Sequence, residues 1–303
     1  MRPAAATADS AIRGSDAVRN ATDGSPSLRI CLLASGSKGN AIFLSDGHTS
    51  VLIDAGLSGI EIQRRFAARG IDPACLDAII VSHEHADHVH GVGVLSRRFG
   101  LPVYLTPKTE AGARSITGDL KQAHYFECGQ RFSINSLTIH PFSTSHDAQD
   151  PAGFTIVNRG LKIGIATDLG IATAMVKEHL KLCDLLILEA NHDPEMLING
   201  PYPWPLKQRI QSRLGHLSNG DSRKLLEVLK HGALQHVILA HLSETNNTPR
   251  KALHEVGPAL ANSRTQLHVA TQNAVSDMLS LTVNLSGPGI AGSSNRRKGV
   301  NDV

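Results

Sequence analysis

Apolar positions along the chain fall in short runs that end in polar loops. Nine runs have strand character: Leu28 to Leu33, Ala41 to Leu44, Val51 to Ile53, Ala78 to Val81, Leu137 to His140, Phe154 to Val157, Lys162 to Ile165, Leu185 to Leu188 and Val237 to Leu239. Between them, apolar residues recur at i, i+3 and i+4. That spacing predicts helices over Ile60 to Arg69, Gly91 to Arg98, Ala172 to Leu182, Ser222 to His231 and Pro249 to Ala261. Both halves of the chain repeat the order strand, polar loop, helix. The pattern suits a layered helix–sheet–sheet–helix sandwich and equally an open α/β sheet, and does not choose between them.

Two segments lack this pattern. Residues 1–27 are rich in Ala, Ser, Thr, Asp and Gly, and the chain turns again to Gly, Ser, Asn and Arg from Ser286. Both are expected to be disordered tails around one domain spanning 28–285. The first segment has no apolar core of the kind a signal peptide needs, and the chain carries no apolar run of membrane-spanning length. The expectation is a cytoplasmic protein without membrane contact.

Composition adds little. A hydrophobic fraction of 41% fits a packed globule, and a net charge of +3 suits an anionic substrate without requiring one. Cys31, Cys75, Cys128 and Cys183 form no C-x-x-C pair, which excludes a thiolate zinc knuckle and argues for reduced thiols. No segment marks a subunit interface, so the oligomeric state stays open.

The chemistry sits after the apolar run Ala78 to Val81. Ser82 is followed by His83, His85, Asp87 and His88. In extended backbone His83 and His85 project the same way, because side chains alternate with period two. As the chain turns into a helix near His88, Asp87 and His88 swing to a neighbouring position. One loop then feeds two adjacent cations. Carboxylate oxygen with imidazole nitrogen suits Zn, Mn or Fe.

This H-x-H-x-D-H run resembles the signature of the metallo-β-lactamase superfamily. Further motifs follow in the expected order: Asp54 in Leu52-Ile53-Asp54-Ala55-Gly56, His146 in Ser145-His146-Asp147, Asp168 in Ala166-Thr167-Asp168, and His241 in Ala240-His241-Leu242. Taken singly, His146, Asp168 and His241 are residue types common in caps and loops. The resemblance implies an α/β fold, the four-layer αββα sandwich. It also implies one metal on His83, His85 and His146, a second on Asp87, His88 and His241, Asp168 bridging both, and Asp54 supporting the loop.

Other stretches resemble the YycJ (WalJ) group of nucleases within that superfamily. They are Leu33 to Asn40, Leu188-Glu189-Ala190-Asn191-His192-Asp193, Tyr202-Pro203, Leu206 to Ile210, Gly215 to Asn219, and His241-Leu242-Ser243 with Asn246-Asn247. The resemblance covers most of 28–270 and implies a 5′-to-3′ DNA exonuclease supported by manganese. Two cations can clamp the attacking and leaving oxygens of a phosphodiester and supply a bridging hydroxide as nucleophile. Asp87 and Asp168 would hold that machinery. His216 is the candidate to protonate the leaving oxygen, against a reading as a solvent-facing residue. Ser218 and Asn219 can cap a helix whose N-terminus attracts an anion. Ser37, Lys38 and Asn40 lie in a small-residue loop able to face a phosphate, or simply to turn between strands. The alternative substrates are a small cyclic sugar phosphate, as in PhnP-like enzymes, or a thioester. The missing cysteine cluster weighs against the PhnP-like reading.

Overall fold

The computed structural model of the chain describes residues 27–283, so the two expected tails lie outside the described residues except for Ser27. The first sheet opens with an antiparallel meander, β1 (Ser27–Ala34), β2 (Ala41–Ser45) and β3 (Ser50–Ile53). It continues in parallel through β4 (Ala78–Ile80), β5 (Pro102–Leu105) and β6 (Gln122–Tyr125). Helices α1 (Gly59–Ala67), α2 (Ala86–Val89), α3 (Val92–Phe99) and α4 (Pro107–Thr117) belong to this half. The second sheet starts with antiparallel β7 (Phe132–Ile134), β8 (Leu137–Ser143), β9 (Ala152–Asn158) and β10 (Leu161–Ala166). It turns parallel at β11 (Leu185–Glu189), β12 (His236–Ala240) and β13 (Gln266–Val269). With it come α5 (Ala174–Leu180), α6 (Pro194–Asn199), α7 (Trp204–Ile210), α8 (Asn219–Leu229) and α9 (Pro249–Val256). Finally β14 (Leu279–Thr282) returns to the first sheet beside β1.

The unbroken apolar runs have a simple cause. These strands are covered on both faces, so both sets of alternate side chains are buried. Leu185 and Ile187 face the other sheet, where they join Ile30, Ile53, Ile80, Phe154 and Ile163 in the inter-sheet core. Leu186 and Leu188 point the other way and pack under Val176, Leu180, Leu225, Leu229 and Val256 of α5, α8 and α9. On the first sheet Ile79 and Val81 meet Ile62 and Phe66 of α1 and Leu95 of α3. The result is the four-layer αββα sandwich; the open-sheet alternative does not occur. Helices start where side chains can accept the free N–H groups of a first turn. Ser58, Thr106, Thr173, Asp193, Ser218 and Thr248 each do so.

Every strand and helix expected from the pattern has a counterpart, with ends displaced by one to a few residues. The helix expected near His88 is α2, and the short or polar elements β5, β6, β7, β13, β14, α4, α6 and α7 are additions. Of these, α6 and α7 matter most, because they stand over the site.

At the far end of the sandwich three hairpin turns meet on one carboxylate. Asp46, between β2 and β3, accepts from the N–H groups of His48 (2.9 Å) and Thr49 (2.7 Å), from the Ser136 hydroxyl before β8 (2.5 Å), and from the Asn158 amide at the end of β9 (2.9 Å). Burial pushes this carboxyl up. The Ser136 hydroxyl and the two N–H groups outweigh burial and hold it below the ordinary 3.8. A folded pKa below the unfolded one gives stability that is present above the unfolded value and lost as pH falls through the folded one. Asp46→Asn therefore destabilises the fold at pH 7, and the gap to the parent closes as pH drops below about 4. Urea midpoints across that range check this. Equal midpoints at pH 7 would show that the carboxylate does not tie the turns.

Candidate metal centre

The opposite edge collects the C-terminal ends of β3, β4, β10, β11 and β12, together with the loop after β8. Parallel strands place successive loops side by side, which is how residues distant in sequence meet. Two triads form. His83, His85 and His146 bring one ring nitrogen each within 4.8 Å of one another, and Asp87, His88 and His241 do the same with a carboxylate oxygen and two nitrogens. In each triad the first sheet supplies two members and the second sheet one. Asp168 stands between them. One of its oxygens is 3.3 Å from His88 Nε2; the other is 3.4 Å from His241 Nδ1 and 3.8 Å from His146 Nε2.

Three of the residues that build this edge have left-handed backbone: Asp54 (φ 59°), Asp168 (φ 54°) and His241 (φ 55°). Asp54 and His241 are the first residues after β3 and β12, and Asp168 the second after β10. A left-handed residue reverses the chain abruptly at the strand end. For a residue other than glycine this costs roughly 1–3 kcal/mol; Asp and His are among the types that tolerate it best. The loop after Asp54 then runs against α2. Ala55 N–H donates to His88 O, and Asn40 N–H to Asp87 O, both at 2.8 Å. A Cβ on Gly56 would overlap the Asp87 carbonyl, so only glycine admits this approach.

Two carboxylates orient the imidazoles. His88 Nδ1–H donates to Asp54 Oδ2 (2.7 Å), and Asp54 also accepts from Ser82 N–H and Oγ–H, each at 2.8 Å. This tautomer turns the His88 Nε2 lone pair toward Asp168 and Asp87. Glu189, at the end of β11, plays the matching part in the second sheet. It is wholly buried; one oxygen accepts from His241 Nδ1–H and His216 Nδ1–H at 2.8 Å each. The other accepts from the N–H groups of Leu169 (2.9 Å) and Leu217 (3.0 Å). The sequence places Glu189 within a motif but assigns it no role. An acidic residue closing an all-apolar strand is the signal that points to it.

Charge balance follows from this packing. Burial works against every ion here. His88 and His241 are nevertheless held well above the ordinary imidazole value, chiefly by Asp168. Burial would raise Asp87, Asp168 and Glu189, but neighbouring imidazoles hold all three down, Glu189 to about 2. His83 and His146 go down, mainly through burial. Two atoms facing the cluster are buried without any hydrogen-bond partner, Asp168 Oδ2 and His241 Nε2. Orphaned buried polar atoms cost about 1–3 kcal/mol each. Lone pairs converging from imidazole and carboxylate suit a cation, so the residues present fit a metal centre.

A cavity of about 410 Å³ opens onto the cluster. His85, Asp87, His146, Asp168, His216 and His241 line it, as does Ser37. The structure employs the other expected substrate contacts elsewhere. Lys38 is paired with Glu244 at 2.6 Å. Asn40 is 5% exposed, with its amide within 3.3 Å of Asp87 and 3.1 Å of His88 Nε2. Ser218 caps α8, and Asn219 is locked to Asn247 by two amide hydrogen bonds. None of these four reaches the cavity wall. Instead α7 and the turn before it supply Tyr202, Leu206, Arg209 and Ile210. Arg209 forms an ion pair with Asp147 at 2.5 Å, which ties α7 to the loop carrying His146. Lys207 is buried, its ammonium donating to the Ile198 and Gly200 carbonyls at 2.7 and 2.8 Å.

A four-layer sandwich with converging imidazoles and carboxylates at one edge is the architecture of a metal-dependent hydrolase. The chain belongs to the metallo-β-lactamase-fold hydrolase superfamily, in its WalJ/YycJ group. Residues 49–242 match the family described as Beta-lactamase superfamily domain. Exodeoxyribonuclease WalJ of Streptococcus pneumoniae serotype 2 (strain D39) is 38% identical over 224 residues, covering 73% of this chain and 83% of that one. Exodeoxyribonuclease YycJ of Bacillus anthracis is 34% identical over 235 residues, 77% of this chain and 89% of that one. Among solved structures, the metallo-β-lactamase fold protein YhfI from Bacillus subtilis superposes with a TM-score of 0.64 at 18% identity, covering 83% of this chain and 99% of that one.

Glu189→Gln keeps the shape of the side chain but cannot accept from both imidazoles with the same strength. Metal affinity or activity should fall 10–100-fold while the circular dichroism spectrum stays unchanged. Parent-like metal binding and turnover would show that His216 and His241 do not depend on this carboxylate.

Proposed function

We propose that this chain is a metal-dependent phosphodiesterase that removes nucleotides from DNA, working 5′ to 3′. The observation that carries the proposal is Asp168 standing between two donor triads, at the floor of a cavity that also holds a histidine outside both triads. In this reading His83, His85 and His146 would hold one divalent cation and Asp87, His88 and His241 the other, with Asp168 available to both. Five imidazoles and two carboxylates suit Zn, Mn or Fe. When bound, such a pair of cations neutralises phosphate charge and makes a deprotonated water available near neutral pH. The exodeoxyribonuclease names of the two relatives support DNA as the substrate.

The chain's own groups do the rest. His216 belongs to neither triad, and Glu189 fixes its Nδ1–H, so Nε2 is the nitrogen left for substrate. Burial lowers its pKa, but the Glu189 carboxylate outweighs burial and favours the protonated ring. A protonated imidazole beside the reacting phosphate can hand its proton to the leaving oxygen. Arg209 reaches the cavity from α7 and offers a second charge to the phosphate. Tyr202, Leu206 and Ile210 give the terminal nucleotide an apolar wall and keep water from that side. No described helix is long and apolar enough to cross a membrane.

Metal-stripped protein is assayed on 5′-phosphorylated duplex DNA with and without Mn²⁺, beside Asp87→Ala and His216→Ala. Stepwise release from the 5′ end should need metal and be lost in Asp87→Ala. His216→Ala should keep its metal and lose about 10²–10⁴-fold in kcat. A protein that binds two metals per chain yet leaves DNA intact, while hydrolysing a cyclic sugar phosphate or a thioester, would overturn the DNA reading.

A further inference from the structure

Helix α5 separates two surface cavities that play no part in the metal cluster. The first, of about 390 Å³, begins at Gly170, two residues beyond Asp168, and is bounded by Lys177, Arg213 and Lys224. Only one segment of chain divides it from the site. Arg209, Ile210, Gly215 and His216 face the metal cluster, while Gln211, Ser212, Arg213 and Leu217 face this cavity. The second cavity, of about 690 Å³, lies on the other side of α5 over the outer face of β8 and β9, and Arg131, His140, Lys162 and His179 line it.

The charges in these cavities are unbalanced. Some surface cations elsewhere are paired, as Arg65, Arg69, Arg114, Arg223 and Lys251 are; what sets these cavities apart is that cations outnumber carboxylates along each wall. Arg131, Lys162, Lys177 and Arg213 make no ion pair among the described residues. Lys162 donates to the Lys181 carbonyl and Arg131 to His140 Nδ1, which orients each charge without neutralising it. Each cavity has one carboxylate, and each is engaged: Asp221 with Ser218 and Lys224, and Glu178 with Lys181. His179 is held below its ordinary value by burial and then by its neighbours His140, Lys162 and Arg131. An uncompensated field of this kind concentrates polyanions. Neither cavity contains Phe, Tyr or Trp, so a ligand would be read through its backbone and not by base stacking. Met175, Val157 and Val228 are exposed among the cations and suit the sugar edges of such a backbone.

Resting on the nucleic-acid reading above, we propose that the two cavities flanking α5 form a basic track for the sugar–phosphate backbone of duplex DNA away from the cleaved end. Reach sets its range. His140 and His146 are six residues apart, so the second cavity lies within about 20 Å of the metal cluster. At about 3.4 Å per base pair, that places the track within roughly six base pairs of the scissile bond. The track therefore acts on long substrates and not on very short ones.

The test compares a 20-base-pair, 5′-phosphorylated duplex with a trinucleotide across a salt series, using Lys177→Ala/Arg213→Ala and Arg131→Ala/Lys162→Ala. On the duplex each pair should raise KM about tenfold or more. The slope of log KM against log salt should become shallower by about two, near 0.9 for each phosphate that the variant no longer neutralises. On the trinucleotide kcat/KM should stay within twofold of the parent. Unchanged duplex KM and slope, with DNA still digested, would overturn the track alone. Equal losses on both substrates would also overturn it, since they would come from the site or the fold. If the parent digests neither nucleic acid but hydrolyses a cyclic sugar phosphate, the nucleic-acid reading falls and the track with it.

Discussion

Four carboxylates and six imidazoles gathered at the rim of an apolar sandwich are tolerable only if each buried charge meets a partner. The rest of the structure depends on meeting that condition. Asp54 and Glu189 meet it from behind, each holding its imidazoles by Nδ1 and being held in turn by backbone N–H groups. Asp168 meets it from the centre, with one oxygen facing His241 and His146 and the other facing His88 without a hydrogen bond. Fixing the imidazole tautomers is what makes the cluster a set of aimed lone pairs and not a polar pool. The left-handed turns at Asp54, Asp168 and His241 follow, since only a sharp reversal at the strand ends brings these side chains back over the sheet edge.

Much of this is legible in the sequence. The apolar runs predict the strands because burial on both faces leaves no polar alternation to confuse the period. His83 through His88 stand out because a dense polar cluster directly after a buried strand has few structural uses. Other residues of the site are hidden for physical reasons. Glu189 looks like the polar end of a strand, and nothing local says that two imidazoles from distant loops will share its oxygen. Tyr202 to Ile210 lie in a proline-rich stretch with weak periodicity, and their place over the cavity depends on the Arg209–Asp147 pair and the buried Lys207 ammonium. Conversely, Lys38, Asn40, Ser218 and Asn219 have side chains that suit a phosphate, but each is already engaged within the protein. A sequence displays donors and acceptors; it does not display which are already used.

The division of labour across the molecule is equally plain. Hairpin turns close the far end, where Asp46 gathers three of them with ordinary hydrogen bonds. Loops after parallel strands build the near end, where chemistry is possible because the chain there is strained, charged and open to solvent. The Asn191, Asn219 and Asn247 amides knit these loops together without adding charge.

Each triad takes two members from one sheet and the third from the other. Any ion held there is a cross-link between the halves of the sandwich, closed by coordination and not by covalent bonds. By linkage, its binding energy adds to the free energy that keeps the two sheets docked. Scarcity of metal would then loosen the architecture as well as silence the site, so the chain's resistance to unfolding would register the metal supply around it.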